Sequence, residues 1–313
     1  MNHRPLGRSG LSIAPLMLGG NVFGWTADEK TSHAILDAFL SGGFNAIDTA
    51  DVYSGWVPGH TGGESETVIG SWLKARGRRE CFIIATKVGM WPARPGLSAA
   101  NIVKACEDSL KRLQTDYIDL YQSHRDDADT PQDETAEAFA RLVKAGKVRA
   151  IGASNFDAAR LGSALKIAAD LGLPRYDTLQ PAYNLVDRAI EGPLQQLCVE
   201  QDVSIISYYG LASGFLTGKY RSTADLGKSP RGAGAKKHLE SERGQKVLAA
   251  LDAVSAELGA TPAQVALAWV MARPAVAAPI ASATSLEQLQ ELMGAARLTL
   301  DAGQMARLDA ASA

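Results

Sequence analysis

Cysteine is scarce in this chain. Cys81, Cys106 and Cys198 are odd in number, widely spaced and not in CxxC pairs. That excludes a disulfide framework and a thiolate metal site, and it reads as reduced core thiols of a cytoplasmic protein. Long apolar runs are missing too: stretches such as Ala266–Ala272 fall far short of the roughly 20 residues that cross a bilayer, so no membrane partner is expected. The opening MNHRPLGRSGLSI has no basic segment followed by a long apolar one, so no secretory leader is expected. Charge of one sign is not in excess: 32 basic residues face 34 acidic ones, a net charge of −2, which argues against a nucleic-acid binder. Two glycine fingerprints are also absent. Gly19, Gly20 and Gly24 lack the GxGxxG spacing of a doubly wound dinucleotide fold, and Gly214 and Gly218–Lys219 fail the GxxxxGK spacing of a phosphate loop.

What is present is ordinary globular composition, 46% apolar and 21% charged, which supplies a core able to offset ordering entropy. The 313 residues admit two domains of about 150 residues or one α/β barrel of about 250 with additions. Short β-branched runs alternate with helical patterns. Strands are expected at Leu16–Gly19, Asn45–Thr49, Cys81–Thr86, Tyr117–Gln122, Val148–Gly152, Thr178–Gln180, Val203–Ser207 and Val276–Ile280. Helices are expected near Thr31–Ser41, Ser65–Ala75, Ser98–Leu113, from Pro131 to a cap at Gly146, Asp157–Leu171, Leu194–Glu200, within Ser241–Leu258, Pro262–Ala272, Ser285–Gly294 and Asp301–Ala310. In the third of these, Val103, Cys106, Leu110 and Leu113 share one face, with Ser98 as N-cap. Eight such units argue for one (β/α)8 barrel over residues 1–313, with an N-terminal hairpin at Leu6–Ile13 and extra C-terminal helices.

Barrel strands carry their chemistry at their C-terminal ends. There this sequence places Asp48 and, five residues on, Tyr53 after the second strand, Lys87 after the third and His124 after the fourth. Singly, each has a bland reading: a turn former, a packing ring, a solvated cation, a rim histidine. Together at one rim they form a proton-handling cluster. A phenol titrates near 10 unperturbed, and a neighbouring ammonium should lower that value. Asp48 would hold Lys87 charged, Tyr53 would donate a proton to a carbonyl oxygen, and His124 would orient that oxygen. No metal is called for.

From LGRSGL (Leu6–Leu11) to the last helix, and in the spacing of those four residues, the chain resembles the aldo-keto reductase superfamily. The resemblance implies a (β/α)8 barrel, a nicotinamide dinucleotide bound without a Rossmann motif, and hydride transfer to or from a carbonyl carbon with Tyr53 as general acid or base. By the same resemblance, Ser154 and Asn155 in RAIGASN, with Gln180, would bond the carboxamide. In SYYGLASGFLTGKY, Tyr208 would stack on the nicotinamide, while Gly210, Leu211, Ser213 and Lys219 would hold the pyrophosphate. PIASATSLEQLQEL, with Ser282, Thr284, Gln288 and Glu291, resembles the adenosine-phosphate segment. It departs from the pattern where many NADP-dependent members carry Lys, Arg and Asn in place of Ser282, Gln288 and Leu292. Neutral side chains cannot match charge-assisted contacts to a 2′-phosphate. NADP(H) is still favoured over NAD(H).

The basic stretch between Tyr220 and Leu239, with Arg221, Lys228, Arg231, Lys236 and Lys237, reads equally as a solvated loop or a phosphate-covering lid. Trp25, Trp56 and Trp91 follow the first three strands and are expected in an aromatic pocket for a bulky carbonyl or alcohol, with Arg125 at its rim. Two rival functions stay open: a Schiff-base aldolase using Lys87, and a regulatory subunit that keeps the cofactor site. The sequence names no protein partner.

Overall fold

The computed structural model describes residues 2–313. The chain starts with a hairpin of β1 (Arg4–Pro5) and β2 (Ser12–Ile13). Then β3 (Met17–Gly19), β4 (Ala46–Asp48), β5 (Ile83–Val88), β6 (Ile118–Ser123), β7 (Val148–Ser154), β8 (Tyr176–Gln180), β9 (Ser204–Ser207) and β10 (Val276–Ala281) close into a parallel barrel. Between them run α1 (Glu29–Ser41), α2 (Glu64–Arg76), α3 (Ala99–Leu113), α4 (Gln132–Lys144), α5 (Ala158–Leu171) and α6 (Pro193–Glu200). The β9–β10 connection holds α7 (Lys236–Leu239), α8 (Glu242–Leu258) and α9 (Pro262–Met271), and α10 (Leu286–Ala295) and α11 (Ala302–Ala311) end the chain.

Most expected elements are present with small shifts. The third strand begins at Ile83, because Arg79–Cys81 forms a short 3-10 turn. Lys87 therefore lies inside β5. The hairpin is smaller than Leu6–Ile13: its pairing joins Arg4 to Ile13 and Pro5 to Ser12, and Leu6–Leu11 is its connection. Leu6 and Ile13 are fully buried among Met17, Ala46, Ala85, Leu120 and Ala150, so the hairpin plugs the bottom of the barrel. The helices follow their caps. Ser98 accepts from the Asn101 amide and starts α3. Its buried face centres on Ile102, Cys106, Leu110 and Leu113, leaving Val103 half-buried. The cap of α4 is Ala145, and Gly146 follows it at φ 72°.

Two local features position the site. Asp48 pairs with Ala85 and Lys87 with Gln122. Side chains alternate along a strand, so this register turns Asp48, Ala85, Lys87 and Gln122 toward the same face. Gly70 brings α2 and α3 together, since a Cβ there would lie 2.0 Å from the Arg112 carbonyl oxygen. That approach lets Arg112 donate to Glu66 beside the third strand.

Candidate active site

The four strand-end residues converge. The Lys87 ammonium is fully buried and uses three bonds: 2.6 Å to Asp48 Oδ2, 2.8 Å to the Thr49 carbonyl and 2.8 Å to the Tyr53 hydroxyl. Tyr53 donates to Asp48 Oδ2 at 3.1 Å. The turn that presents Tyr53 is held by Ser54, at φ 68°, whose hydroxyl donates to the Phe23 carbonyl. His124 follows β6, is tied by its amide to the Val88 carbonyl, and its ring centre lies 6.0 Å from that of Tyr53.

Burial dominates the titration of these groups. It lowers Lys87, and the Asp48 carboxylate opposes that shift. It also lowers His124 well below its ordinary range, helped by Lys87 and Arg125, so the imidazole is neutral. Tyr53 corrects the sequence expectation. Burial first, then the Asp48 charge, raise its phenol well above 10. The nearby ammonium does not outweigh them, and the phenol keeps its proton until a strong base forms beside it.

Two glutamines support Asp48 from behind, and the sequence pointed to only one of them, Gln180. Asp48 Oδ1 accepts from Gln180 Nε2 at 2.8 Å, and Gln180 also donates to Gln122 Oε1 at 3.3 Å. Gln122 is fully buried on β6 and was missed as a site residue. Its one available signal was a polar residue in the apolar strand IDLYQS.

The residues expected at the carboxamide also meet. Ser154 donates to the Gln180 carbonyl, and Asn155, at φ 57°, donates to the His124 carbonyl and accepts from the Tyr208 hydroxyl at 2.8 Å. Beyond Tyr208 and Gly210, the backbone after Leu211 turns through left-handed Ala212, Ser213 and Gly214. Such turns form concave amide surfaces that receive anions. Lys219 lies beside Gly214 and has no ion pair among the described residues. Ser282 donates to Asn21, while Thr284 and Gln288 bond each other at the start of α10, with Glu291 one turn further on.

The Tyr220–Leu239 segment is not a plain loop. It contains 3-10 turns at Thr223–Lys228 and Gly232–Ala235 before α7. Gly234 lies against Ser213, where a Cβ would come within 2.8 Å of the hydroxyl. Arg221 pairs with Asp252 and Lys228 with Asp225. Arg231 turns inward: its guanidinium lies 5.9 Å from the Trp25 ring centre, it feels Tyr209, Tyr220 and Tyr53, and its Nη2 is buried without a partner. Sequence reasoning could not distinguish it from the other basic residues of the segment.

The tryptophans divide. Trp56 lies 6.0 Å from Tyr53 and 5.7 Å from Trp25, ring centre to ring centre, and is 49% exposed. Trp91 does not join them. Its indole donates to the Thr61 carbonyl, and Arg94 and Arg112 lie over its ring. Trp56→Ala is therefore expected to change the affinity ranking of aromatic against small ligands by about tenfold, from the area a tryptophan removes from water. Trp91→Ala should leave that ranking unchanged, and binding titrations across a panel of aromatic and small ligands check both. Arg125 is exposed at the rim and has no ion pair among the described residues. No group of metal-ligating side chains occurs among the described residues, and no helix there is long and apolar enough to cross a membrane.

Comparison with known proteins adds an independent line. The profile described as "Aldo/keto reductase family" matches residues 15–313. The chain is 38% identical over 312 residues to "Uncharacterized oxidoreductase YrpG" of Bacillus subtilis, covering 96% of this chain and 93% of that protein. It is 35% identical over 343 residues to "Protein tas" of Escherichia coli, covering 99% and 97%. It is also 33% identical over 305 residues to "Probable voltage-gated potassium channel subunit beta" of Arabidopsis thaliana, covering 94% and 91%.

Proposed function

The chain belongs to the aldo/keto reductase family, an oxidoreductase on that ground, and from this premise we propose that it reduces an aldehyde or ketone to the alcohol, or runs the reverse, with a nicotinamide cofactor. Residues 1–313 would act as one catalytic unit. The observation that carries the reading is the buried Asp48–Lys87–Tyr53 cluster with neutral His124 beside it. The Tyr53 phenol is held protonated and in place to protonate a carbonyl oxygen as that oxygen gains charge. Lys87 stabilises the phenolate left behind, and Asp48 keeps the ammonium charged. His124 orients the same oxygen as a neutral donor.

A reduced nicotinamide, when bound, would supply the hydride. Features of this structure fit such a dinucleotide: the Arg231 Nη2, buried without a partner among the described residues, Lys219, which has no ion pair among them, and the left-handed turn at Ala212–Gly214 suit its diphosphate. Ser154, Asn155 and Gln180 would take the carboxamide, Tyr208 the ring, and Gly210, Leu211 and Ser213 the diphosphate. The segment carrying Arg231 would cover it. Ser282, Thr284, Gln288 and Glu291 would meet the adenosine end at the positive terminus of α10. Because those side chains carry no cation, NADPH is expected to bind more tightly than NADH by only about three- to tenfold, the range a helix terminus supports. Fluorescence titration of both cofactors checks this, and an NADH preference overturns it.

The three bonds of the buried Lys87 ammonium favour the reductase reading over the aldolase alternative. Borohydride with substrate should trap no adduct. The likeness to the plant channel-subunit protein favours a second reading, protein docking alongside turnover. The direct test of the main proposal is oxidation of NADPH by para-nitrobenzaldehyde, followed by absorbance. No turnover with any aldehyde or ketone would sink it.

A further inference from the structure

Asp51 lies two residues before Tyr53 and outside the chemistry described so far. Its side chain is buried at 1% exposure, and Oδ1 meets no donor. Its amide donates to the Lys87 carbonyl at 3.3 Å, so the residue is tied to the strand that carries the ammonium. A carboxylate without a donor in such a place is costly to ionise.

The groups that act on it come from every neighbouring element: Glu66 on α2, Arg112 on α3, Arg94 in the β5–α3 connection and Lys87 on β5. Tyr121 on β6 feels its charge in turn. Glu66 is already engaged, accepting from Thr86 at 2.5 Å and from Arg112 Nε at 2.6 Å. Asp51 is thus the acid of this cluster without a hydrogen-bonded partner for its carboxyl, and both acids act on Lys87.

We propose that Asp51 is a positioning residue whose gain or loss of a proton sets the charge beneath Lys87, and so the strength with which the Lys87–Tyr53 pair donates a proton. The proposal rests on the reductase reading of the site. Burial, then the Glu66 charge, push the Asp51 carboxyl up to about 7, against the partial opposition of the two arginines and Lys87. Below that pH the carboxyl is neutral, and the site presents the full Lys87 charge to a developing alkoxide. Above it a new anion acts on Lys87. The ammonium is held more firmly, but the net positive field at the carbonyl oxygen falls. Reduction therefore slows as pH rises through neutrality.

Two measurements on Asp51→Asn, which keeps the shape and cannot ionise, test this. Wild-type kcat/KM for aldehyde reduction should fall about three- to tenfold across an inflection near neutral pH, the size of a screened charge near the site, and the variant should lack that inflection. The second readout needs no turnover. A folded-state carboxyl raised above its unfolded value binds extra protons between about pH 4 and 7, so the contribution of Asp51 to wild-type stability should decline with rising pH over that window. The melting temperature of Asp51→Asn, relative to wild type, should rise over the same window. An inflection that persists unchanged in the variant overturns the proposal, as do melting curves with the same pH dependence in both proteins. Absence of turnover in wild type with any carbonyl removes the reductase reading instead, and the melting curves still report whether Asp51 titrates.

Discussion

Tyr53→Phe is expected to lower kcat by between about a hundredfold and ten-thousandfold, the range for loss of a positioned general acid. The ring would stay, packed against Trp56 and His124. What leaves is one hydroxyl that accepts from Lys87 and donates to Asp48. The carbonyl oxygen would then have only neutral His124 and water as proton sources. Cofactor affinity should change little, because the phenol contacts none of Ser154, Asn155, Gln180 or Arg231 by hydrogen bond. Steady-state kinetics beside fluorescence titration separate the two effects. Turnover close to wild type would remove Tyr53 from the role proposed here.

Lys87→Met should abolish turnover and destabilise the fold together. The substitution leaves Asp48 buried with its Oδ2 facing only Tyr53, and removing one partner of a buried pair costs about 3–5 kcal/mol. For a chain of 313 residues that corresponds to a melting temperature lower by roughly 5–8 °C. The Asp48→Asn/Lys87→Met double variant should regain much of that stability, since the stranded charge is gone, while remaining inactive. A double variant no more stable than Lys87→Met would show that the pair is not the source of the loss. The comparison separates charge burial from chemistry, which neither single change can do.

Much of this was legible from residue order. Strand ends are local: a short apolar run stops, a polar residue follows, and barrel geometry puts consecutive ends on one rim. Asp48, Lys87 and His124 were readable that way. The helix starts were readable because Ser98, Asp157 and Ser285 cap them with their own side chains. What stayed hidden depends on contacts between distant segments. Gln122 matters because Gln180, far along the chain, is also turned toward Asp48. Asp51 is unusual because α2 and α3 bring Glu66 and Arg112 around it. Arg231 stood among other basic residues, and only the fold turned it toward Trp25. The direction of the Tyr53 shift was misjudged for the same reason: its burial is a tertiary quantity that outweighs one neighbouring charge.

The bond between Gln180 and Asp48 joins residues 132 positions apart. Every member of the proton-handling group lies before α4, and every residue proposed for the cofactor lies after it. The proposed roles thus divide between the two half-barrels, and this contact is one seam between them. During synthesis the first half leaves the ribosome before Gln180, the closest donor to Asp48 Oδ1, has been made. Only when β8 arrives does the seam close. A change among the residues proposed for the cofactor would then reach the proposed proton donor through Gln180, which alone of them bonds Asp48 among the described residues.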